Sequence, residues 1–275
     1  MSADRSVSVV ADAGAGFIIT GASGGIGQAL ALALAPSARA LLLVGRREDA
    51  LKALQVTLQR EHPALTVDYL PTDLSLPEGM AALASRAAQS AVYNVLINNA
   101  GTSDFHAFET QSPAVIENLL YTNLLSPIFL CQKMLPVLSR QSGAQIINIG
   151  SVFGDIGYPG FAVYCASKFG LRGFTQALRR ELGAEGIRVR YFAPRATKTP
   201  LNSPAVVAMN EALNTQSDTV ESVAQQFLDF FESGRNEQVL GWPERLFVFI
   251  NRLRYSITDQ AIGKQMNIIK RFLPR

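Results

Sequence analysis

Three side chains in the middle of the sequence have the types and spacing of an acid/base site. Tyr164 and Lys168 are four positions apart, so a helix would place them on one face, one turn apart. A phenol with a pKa of about 10 is a poor base at neutral pH, and a nearby ammonium lowers that pKa by favouring the phenolate. Ser151 stands thirteen residues before Tyr164, directly after a β-rich run, and could hold a substrate oxygen beside the phenol. The set indicates proton transfer to or from a carbonyl or alcohol oxygen.

A glycine-rich turn near the start of the chain indicates a dinucleotide site. Residues 20–27 read TGASGGIG between an apolar run and the helical run Gln28–Ala35. Gly21, Gly25 and Gly27 would let the backbone curl tightly and approach a pyrophosphate, to which the following helix presents free N–H groups.

Two arginines indicate which dinucleotide is bound. The second apolar run ends in Val44-Gly45 and is followed by Arg46 and Arg47, where a cofactor without a 2′-phosphate usually meets a carboxylate. Guanidinium groups suit a phosphate, so the sequence favours NADP(H) over NAD(H). The alternative is a solvated helix entry in which Glu48 pairs with one arginine.

The elements that would position these residues alternate between strand and helix. This order predicts one α/β domain over residues 1–275, a Rossmann-type doubly wound fold with a seven-stranded parallel sheet and helices on both faces, followed by a C-terminal helical extension. The predicted strands are Gly16–Thr20, Ala40–Val44, Thr66–Leu70, Asn94–Asn98, Gln145–Ile149, Arg188–Phe192 and Gln238–Gly241. The predicted helices are 25–35, 48–61, 77–91, 112–138, 161–184 and 218–233.

Composition excludes several other classes. With 48% hydrophobic and 17% charged residues the chain is globular. Cys131 and Cys165 belong to no Cys/His cluster, so we expect reduced, buried thiols and no metal site. The N-terminal sixteen residues make a poor secretion signal, and no run of about 18 uninterrupted apolar residues indicates a spanning helix. The net positive charge belongs to the C-terminal segment, residues 241–275, which argues against nucleic-acid binding. We expect a cytoplasmic protein.

From about residue 14 to residue 200 the chain resembles the short-chain dehydrogenase/reductase family. The resemblance rests on TGxxxGIG at residues 20–27, NNAG at residues 98–101, and Ser151, Tyr164 and Lys168 at the expected spacing. It implies that Asn123 completes a catalytic tetrad by holding a relay water. It also implies cofactor contacts, which would come from Ser23, Ile26, Asp73, Leu74, Asn99, Ala100, Gly101, Tyr164, Lys168, Pro194 and Thr199.

One position departs from the family pattern. The family usually has Pro-Gly after the sixth strand, whereas Arg195 follows Pro194 here. Its side chain would either point into solvent or touch an acidic substrate.

The resemblance places substrate specificity in a lid at about 199–218. Apolar residues in this lid and after Ser151 predict a pocket for an apolar substrate. They are Leu201, Val206, Val207, Met209 and Leu213 in the lid, and Val152, Phe153, Ile156, Tyr158 and Phe161 after Ser151.

The tail, about 242–273, exceeds the family's minimal form. Residues 241–275 carry seven basic and two acidic side chains, and two helical runs carry apolar stripes, Leu246, Phe249, Ile250, Leu253 and Ile257 in the first and Ile262, Met266, Ile269, Phe272 and Leu273 in the second. Packing on the domain or on a sister subunit is favoured, and the family is commonly dimeric or tetrameric, so we expect a homodimer or homotetramer. Weak peripheral contact with an anionic membrane is the alternative.

The leading hypothesis is an NADP(H)-dependent oxidoreductase that interconverts a small-molecule carbonyl and alcohol. Two alternatives stay open: a 3-oxoacyl thioester reductase of lipid metabolism, and a non-catalytic NADP-sensing or scaffold protein that retained the fold.

Overall fold

Seven parallel strands form one sheet in the computed structural model, which describes residues 14–274. Their order is β3-β2-β1-β4-β5-β6-β7, so the chain starts mid-sheet, winds to one edge, and crosses back to wind to the other. The strands are β1 (Gly16–Thr20), β2 (Ala40–Gly45), β3 (Thr66–Pro71), β4 (Val95–Asn98), β5 (Gln145–Ile149), β6 (Arg188–Ala193) and β7 (Glu237–Val239). The predicted Rossmann-type fold is confirmed. The predicted lack of a secretion signal concerns residues that lie largely outside the described range.

Helices cover both faces of the sheet because successive strand residues point to opposite sides. Phe17 and Ile19 join one buried cluster with the helices at 25–34 and 220–232, while Ile18 joins another with the helices at 77–88 and 126–138. The ten helices of the described chain are α1 (Gly25–Leu34), α2 (Glu48–Glu61), α3 (Pro77–Ala88), α4 (Pro113–Leu120), α5 (Ser126–Leu138), α6 (Ala162–Glu181), α7 (Pro204–Ala212), α8 (Val220–Glu232), α9 (Trp242–Leu253) and α10 (Tyr255–Phe272).

The helix predicted over 112–138 contains a π-helical turn. Tyr121–Leu125 forms this turn between α4 and α5. By length and composition alone, Pro113–Leu138 could cross a membrane, a test that core helices also pass. Its residues Leu130, Cys131 and Met134 are buried against the sheet, so this helix belongs to the core of the domain. Cys131 and Cys165 are both buried and free, as predicted.

The two tail helices differ in how they pack. In α10, Ile269, Met266 and Phe272 pack against the lid helix α7 and against Phe105 and Phe161, which confirms the packing prediction for that stripe. In α9, Val248 is the one buried residue, so the prediction that the first stripe packs on the domain is wrong, while its packing on a sister subunit stays a prediction.

Candidate active site

In the glycine turn after β1, backbone segments lie too close together for side chains. Gly21 and Gly25 have φ values of +67° and +55°, which favour glycine. A Cβ at Gly27 would collide with the Gly21 carbonyl oxygen, so a glycine is needed here for packing. Gly27 does not line the cleft that this turn borders. Helix α1 then begins after Gly24 without a side-chain cap, leaving its first N–H groups available for an anion.

Thr20 fastens the loop after β4 to this turn. Its Oγ1 accepts hydrogen bonds from the backbone N–H groups of Asn99 at 2.9 Å and Ala100 at 3.0 Å. The Asn99 side chain donates in return to the Thr20 carbonyl oxygen at 2.9 Å. The sequence did not mark Thr20 as a site residue, although a hydroxyl at the end of a buried apolar strand was a usable indication.

Arg46 and Arg47 lie at one end of a cleft of about 570 Å³. Arg47 donates to the Ser23 carbonyl oxygen in the glycine turn. Glu48 pairs with Lys52 at 3.1 Å and with neither arginine, so the alternative of a Glu48–arginine pair is wrong. Both guanidinium groups therefore border the cleft that the glycine turn opens.

Asp73 and Leu74 follow β3 at the same end of the cleft. Asp73 Oδ1 accepts from the Ser75 N–H at 2.8 Å, and this bond is the main reason that the pKa of the carboxyl is lowered; the charge of Arg46 adds to it. The other predicted cofactor residues that line the cleft are Gly21, Ser23, Gly25, Ile26, Asn99, Ala100, Gly101, Tyr164, Lys168 and Thr199.

Tyr164 and Ser151 meet at the carboxyl end of β5. Ser151 caps a short 3₁₀ turn and accepts from the Phe153 N–H at 3.1 Å, while Tyr164 lies in the first turn of α6. Burial raises the pKa of Tyr164 to about 12, and hydrogen bonding with the Ser151 side chain acts against that rise. The pair is arranged to hold one oxygen between two hydroxyls.

Lys168 lies one helical turn beyond Tyr164 and is 6% exposed. Its Nζ donates to the Ile149 carbonyl oxygen at 3.1 Å, its one protein acceptor among the described residues, and lies 5.8 Å from the centre of the Tyr164 ring. Burial lowers the pKa of the ammonium to about 8. Since an ammonium has three N–H donors, two remain for a ligand in the cleft.

Asn123 lies in the π-helical turn and is 1% exposed. Its Oδ1 accepts from the Thr102 N–H at 2.8 Å, and its Nδ2 donates to the Thr102 carbonyl oxygen at 2.8 Å and to Ser167 at 3.2 Å. The side chain therefore fixes the loop that follows Gly101 along the cleft. Its role in holding a relay water stays a prediction.

A second cavity, of about 540 Å³, opens on the other side of Tyr164. Phe153, Ile156, Tyr158 and Phe161 line it, as do the lid residues Leu201, Val206, Met209 and Leu213. The predicted lid residue Val207 is instead 45% exposed. Helices α9 and α10 contribute Phe247, Ile262 and Gln265, which sequence reasoning missed because it treated the tail as separate from the pocket. Pro194 lines this cavity and not the cofactor cleft.

The cleft and the second cavity share a short border. Tyr164, Thr199, Ile26, Gly150 and Leu201 line both of them. The Tyr164 side chain is thus positioned where a molecule in the polar cleft would meet a molecule in the apolar cavity.

Arg195 ties the lid to the tail. Its guanidinium pairs with Asp218 at 2.7 Å and with Glu244 at 3.4 Å. The expectation that this side chain points into solvent is wrong, because the two carboxylates hold it. Arg195 also lines the second cavity, and its contact with an acidic substrate stays a prediction. Within residues 14–274, no group of three or more His, Cys, Asp or Glu side chains could hold a metal ion.

Comparison with known proteins agrees with this geometry. The family model described as short chain dehydrogenase matches residues 16–209. The chain is 30% identical over 240 residues to dehydrogenase/reductase SDR family member 7B of Bos taurus, covering 82% of this chain and 73% of that protein.

Two solved structures share the fold over most of their length. A short-chain dehydrogenase from Sphingobium yanoikuyae in complex with NADPH has a TM-score of 0.76 and 29% identity, covering 89% of this chain and 96% of that one. The bulky-bulky ketone specific alcohol dehydrogenase from Comamonas testosteroni has a TM-score of 0.73 and 27% identity, covering 92% and 94%. The matched residues include the glycine turn, the NNAG loop and the Ser151, Tyr164 and Lys168 group, and the chain belongs to the short-chain dehydrogenase/reductase family.

Proposed function

We propose that this protein is an NADP(H)-dependent oxidoreductase that interconverts an apolar carbonyl compound and its alcohol. The observation that carries the proposal is the position of Tyr164 on the border between the glycine-lined cleft and the apolar cavity. A cofactor in the cleft and a substrate in the cavity would meet beside an acid/base group.

The residues of the cleft fit NADP(H). The uncapped start of α1 and the backbone approach at Gly21 suit a pyrophosphate, and Arg46 and Arg47 suit a 2′-phosphate at the adenosine end. The NADPH complex of the Sphingobium relative supports this choice of cofactor. Lys168, with two unused donors, would hold ribose hydroxyls.

Each polar residue then has one task. The bound nicotinamide supplies or accepts the hydride. Tyr164 donates a proton to the carbonyl oxygen during reduction and removes it during oxidation, while Ser151 holds that oxygen in place. A charged Lys168 ammonium would favour the phenolate, and hydrogen bonding with Ser151 also acts against the effect of burial on the pKa of Tyr164. Asn123 would hold the water that returns protons from solvent.

The lining of the second cavity supports a bulky apolar substrate. Aromatic and aliphatic side chains from the 3₁₀ turn, the lid and both tail helices surround it. The similarity to the bulky-bulky ketone specific alcohol dehydrogenase of Comamonas supports the same substrate class. A 3-oxoacyl thioester is the alternative substrate, and a non-catalytic sensor of NADP(H) is the alternative function.

The test is turnover by the purified full chain with NADPH, followed by the loss of NADPH absorbance. The panel holds bulky apolar ketones, small aldehydes and 3-oxoacyl thioesters. We expect the highest kcat/KM for a bulky ketone. Preference for the thioesters would establish the alternative substrate, and tight NADPH binding without turnover of any compound would establish the sensor.

A further inference from the structure

The solvent side of α9 carries an apolar stripe that nothing in the described chain covers. Trp242, Leu246, Phe249 and Leu253 are 74%, 46%, 60% and 69% exposed. They stand at positions i, i+4, i+7 and i+11, which a helix places within a narrow strip about 16 Å long. Large apolar side chains exposed in a continuous strip mark an interaction surface.

Contacts on the opposite side of α9 fix the stripe outward. Glu244 pairs with Arg195, and Val248 is 3% exposed. The Asn251 side chain donates to the Asp155 carbonyl oxygen at 2.8 Å, and Arg252 pairs with the Asp155 carboxylate at 2.7 Å. Turning the stripe toward the domain would break all of these contacts, so the packing of α9 itself holds the stripe toward solvent.

The tail that carries the stripe is cationic and has exposed aromatic rings. The exposed charged side chains of the described tail comprise six cations, namely Arg245, Arg252, Arg254, Lys264, Lys270 and Arg271, and one anion, Asp259. Trp242 at the start of α9 and Tyr255 just after its end are both highly exposed, and such rings favour the headgroup level of a bilayer. We propose that α9 docks this protein on an anionic lipid surface, with the stripe entering the headgroup region and the exposed Arg245 and Arg254 contacting lipid phosphates.

Charge argues against a second copy of the chain as the occupant. Antiparallel pairing of two α9 helices through the stripe would bring Arg245 of one copy near Arg252 of the other, because both arginines lie on one flank of the stripe. Like charges in such contact are destabilising. An anionic surface instead complements the exposed Arg245 and Arg254.

Helix α9, which carries the stripe, also borders the second cavity. Phe247 of α9 and Leu201 of the lid both line the cavity and are 43% and 47% exposed, so they flank its opening. Docking through α9 would bring this opening close to the lipid, from which an apolar carbonyl compound could enter. This link to the substrate rests on the proposed function, whereas the docking surface does not.

The test is co-sedimentation of the full chain with vesicles of phosphatidylcholine alone or mixed with phosphatidylglycerol. We expect binding to the mixed vesicles only. The combined change Leu246→Ser, Phe249→Ser and Leu253→Ser should weaken binding on the order of a hundredfold. The combined change Arg245→Gln and Arg254→Gln should weaken it about tenfold or more, and added salt should do the same.

Matched variants change the same residue types elsewhere. Val56→Ser with Phe108→Ser removes two apolar side chains that are 63% and 66% exposed, and Arg60→Gln with Arg140→Gln removes two exposed cations. Both control variants should bind as the unchanged chain does. None of the stripe residues lines a cavity, so the stripe variant should keep its turnover of a water-soluble ketone.

Three results would overturn the docking proposal. They are equal sedimentation with and without anionic lipid, unchanged binding by the stripe variant, or a dimer in analytical ultracentrifugation that the stripe changes dissolve while no vesicles are bound. Vesicle binding without turnover of any carbonyl compound would instead retain the docking surface and reject the proposed function.

Discussion

The Lys168 Nζ lies 5.8 Å from the centre of the Tyr164 ring, held there by its hydrogen bond to the Ile149 carbonyl oxygen. Burial lowers the pKa of this lysine to about 8 and raises the pKa of the tyrosine to about 12. The fold thus buries Lys168 where desolvation disfavours its charged form. When it is charged, this lysine favours the phenolate form of Tyr164. Such arrangements are typical of sites where chemistry is favoured over stability.

Replacing this buried cation should stabilise the protein while impairing turnover. The folded-state pKa of Lys168, about 8, lies below the ordinary value of 10.5, so the folded state binds fewer protons between these values and gains stability as pH rises through them. Below pH 8 the lysine is charged in the folded state, so the desolvation penalty on folding is fully present. We expect Lys168→Met to raise the free energy of unfolding at pH 7 by about 1–3 kcal/mol, after the lost hydrogen bond is counted.

Urea unfolding at pH 7 and pH 10 checks this expectation, with Lys264→Met as the exposed control. The gain from Lys168→Met should shrink toward pH 10 as the native lysine loses its proton. A variant that is less stable than the unchanged chain at pH 7 would show that Lys168 is not held against a desolvation penalty.

Cofactor choice should depend on the arginines after β2. Arg46→Ala should weaken NADPH binding by about 10- to 100-fold, the loss of one charge-assisted phosphate contact, and leave NADH binding nearly unchanged. Arg47→Ala should weaken the binding of both NADPH and NADH, because Arg47 also donates a hydrogen bond to the Ser23 backbone. Fluorescence titration with each cofactor measures the ratio, and Arg60→Ala on α2 is the control. An unchanged NADPH/NADH ratio in the double variant would place the phosphate elsewhere.

The tail should determine which substrates fit. Ile262 of α10 lines the second cavity, and Ile262→Phe would narrow it. We expect kcat/KM for a bulky ketone to fall about tenfold while that for a small aldehyde stays the same. Ile257→Phe, on the same helix but 47% exposed and outside the cavity, is the matched control. Equal effects of Ile262→Phe on both substrates would mean that this cavity does not select the substrate.

The sequence predicted those features that depend on the spacing of neighbouring residues. Continuous apolar runs predicted all seven strands, with the last displaced to Glu237–Val239, and the Tyr164–Lys168 spacing placed both residues on one face of α6. The residues around the cleft were found because motif order follows the order of strand ends in a parallel sheet.

The remaining features depend on contacts between distant segments. Nothing local in the sequence marks the π-helical turn around Asn123, which places the amide against Thr102. The partners of Arg195 are Asp218 and Glu244, residues far along the chain that only the folded lid and tail bring together. The stripes of α9 and α10 look alike in sequence, and only the structure shows that one is covered by the domain. Assembly into a homodimer or homotetramer and a cytoplasmic location stay predictions.

In the proposed function, Tyr164 is the acid/base group between cofactor and substrate. The most direct measurement is turnover and NADPH affinity of Tyr164→Phe, which removes the hydroxyl and retains the ring. We predict that kcat falls by about 10²- to 10⁴-fold, the usual contribution of a general acid, while the Kd for NADPH changes little. Turnover close to that of the unchanged protein would contradict the claim.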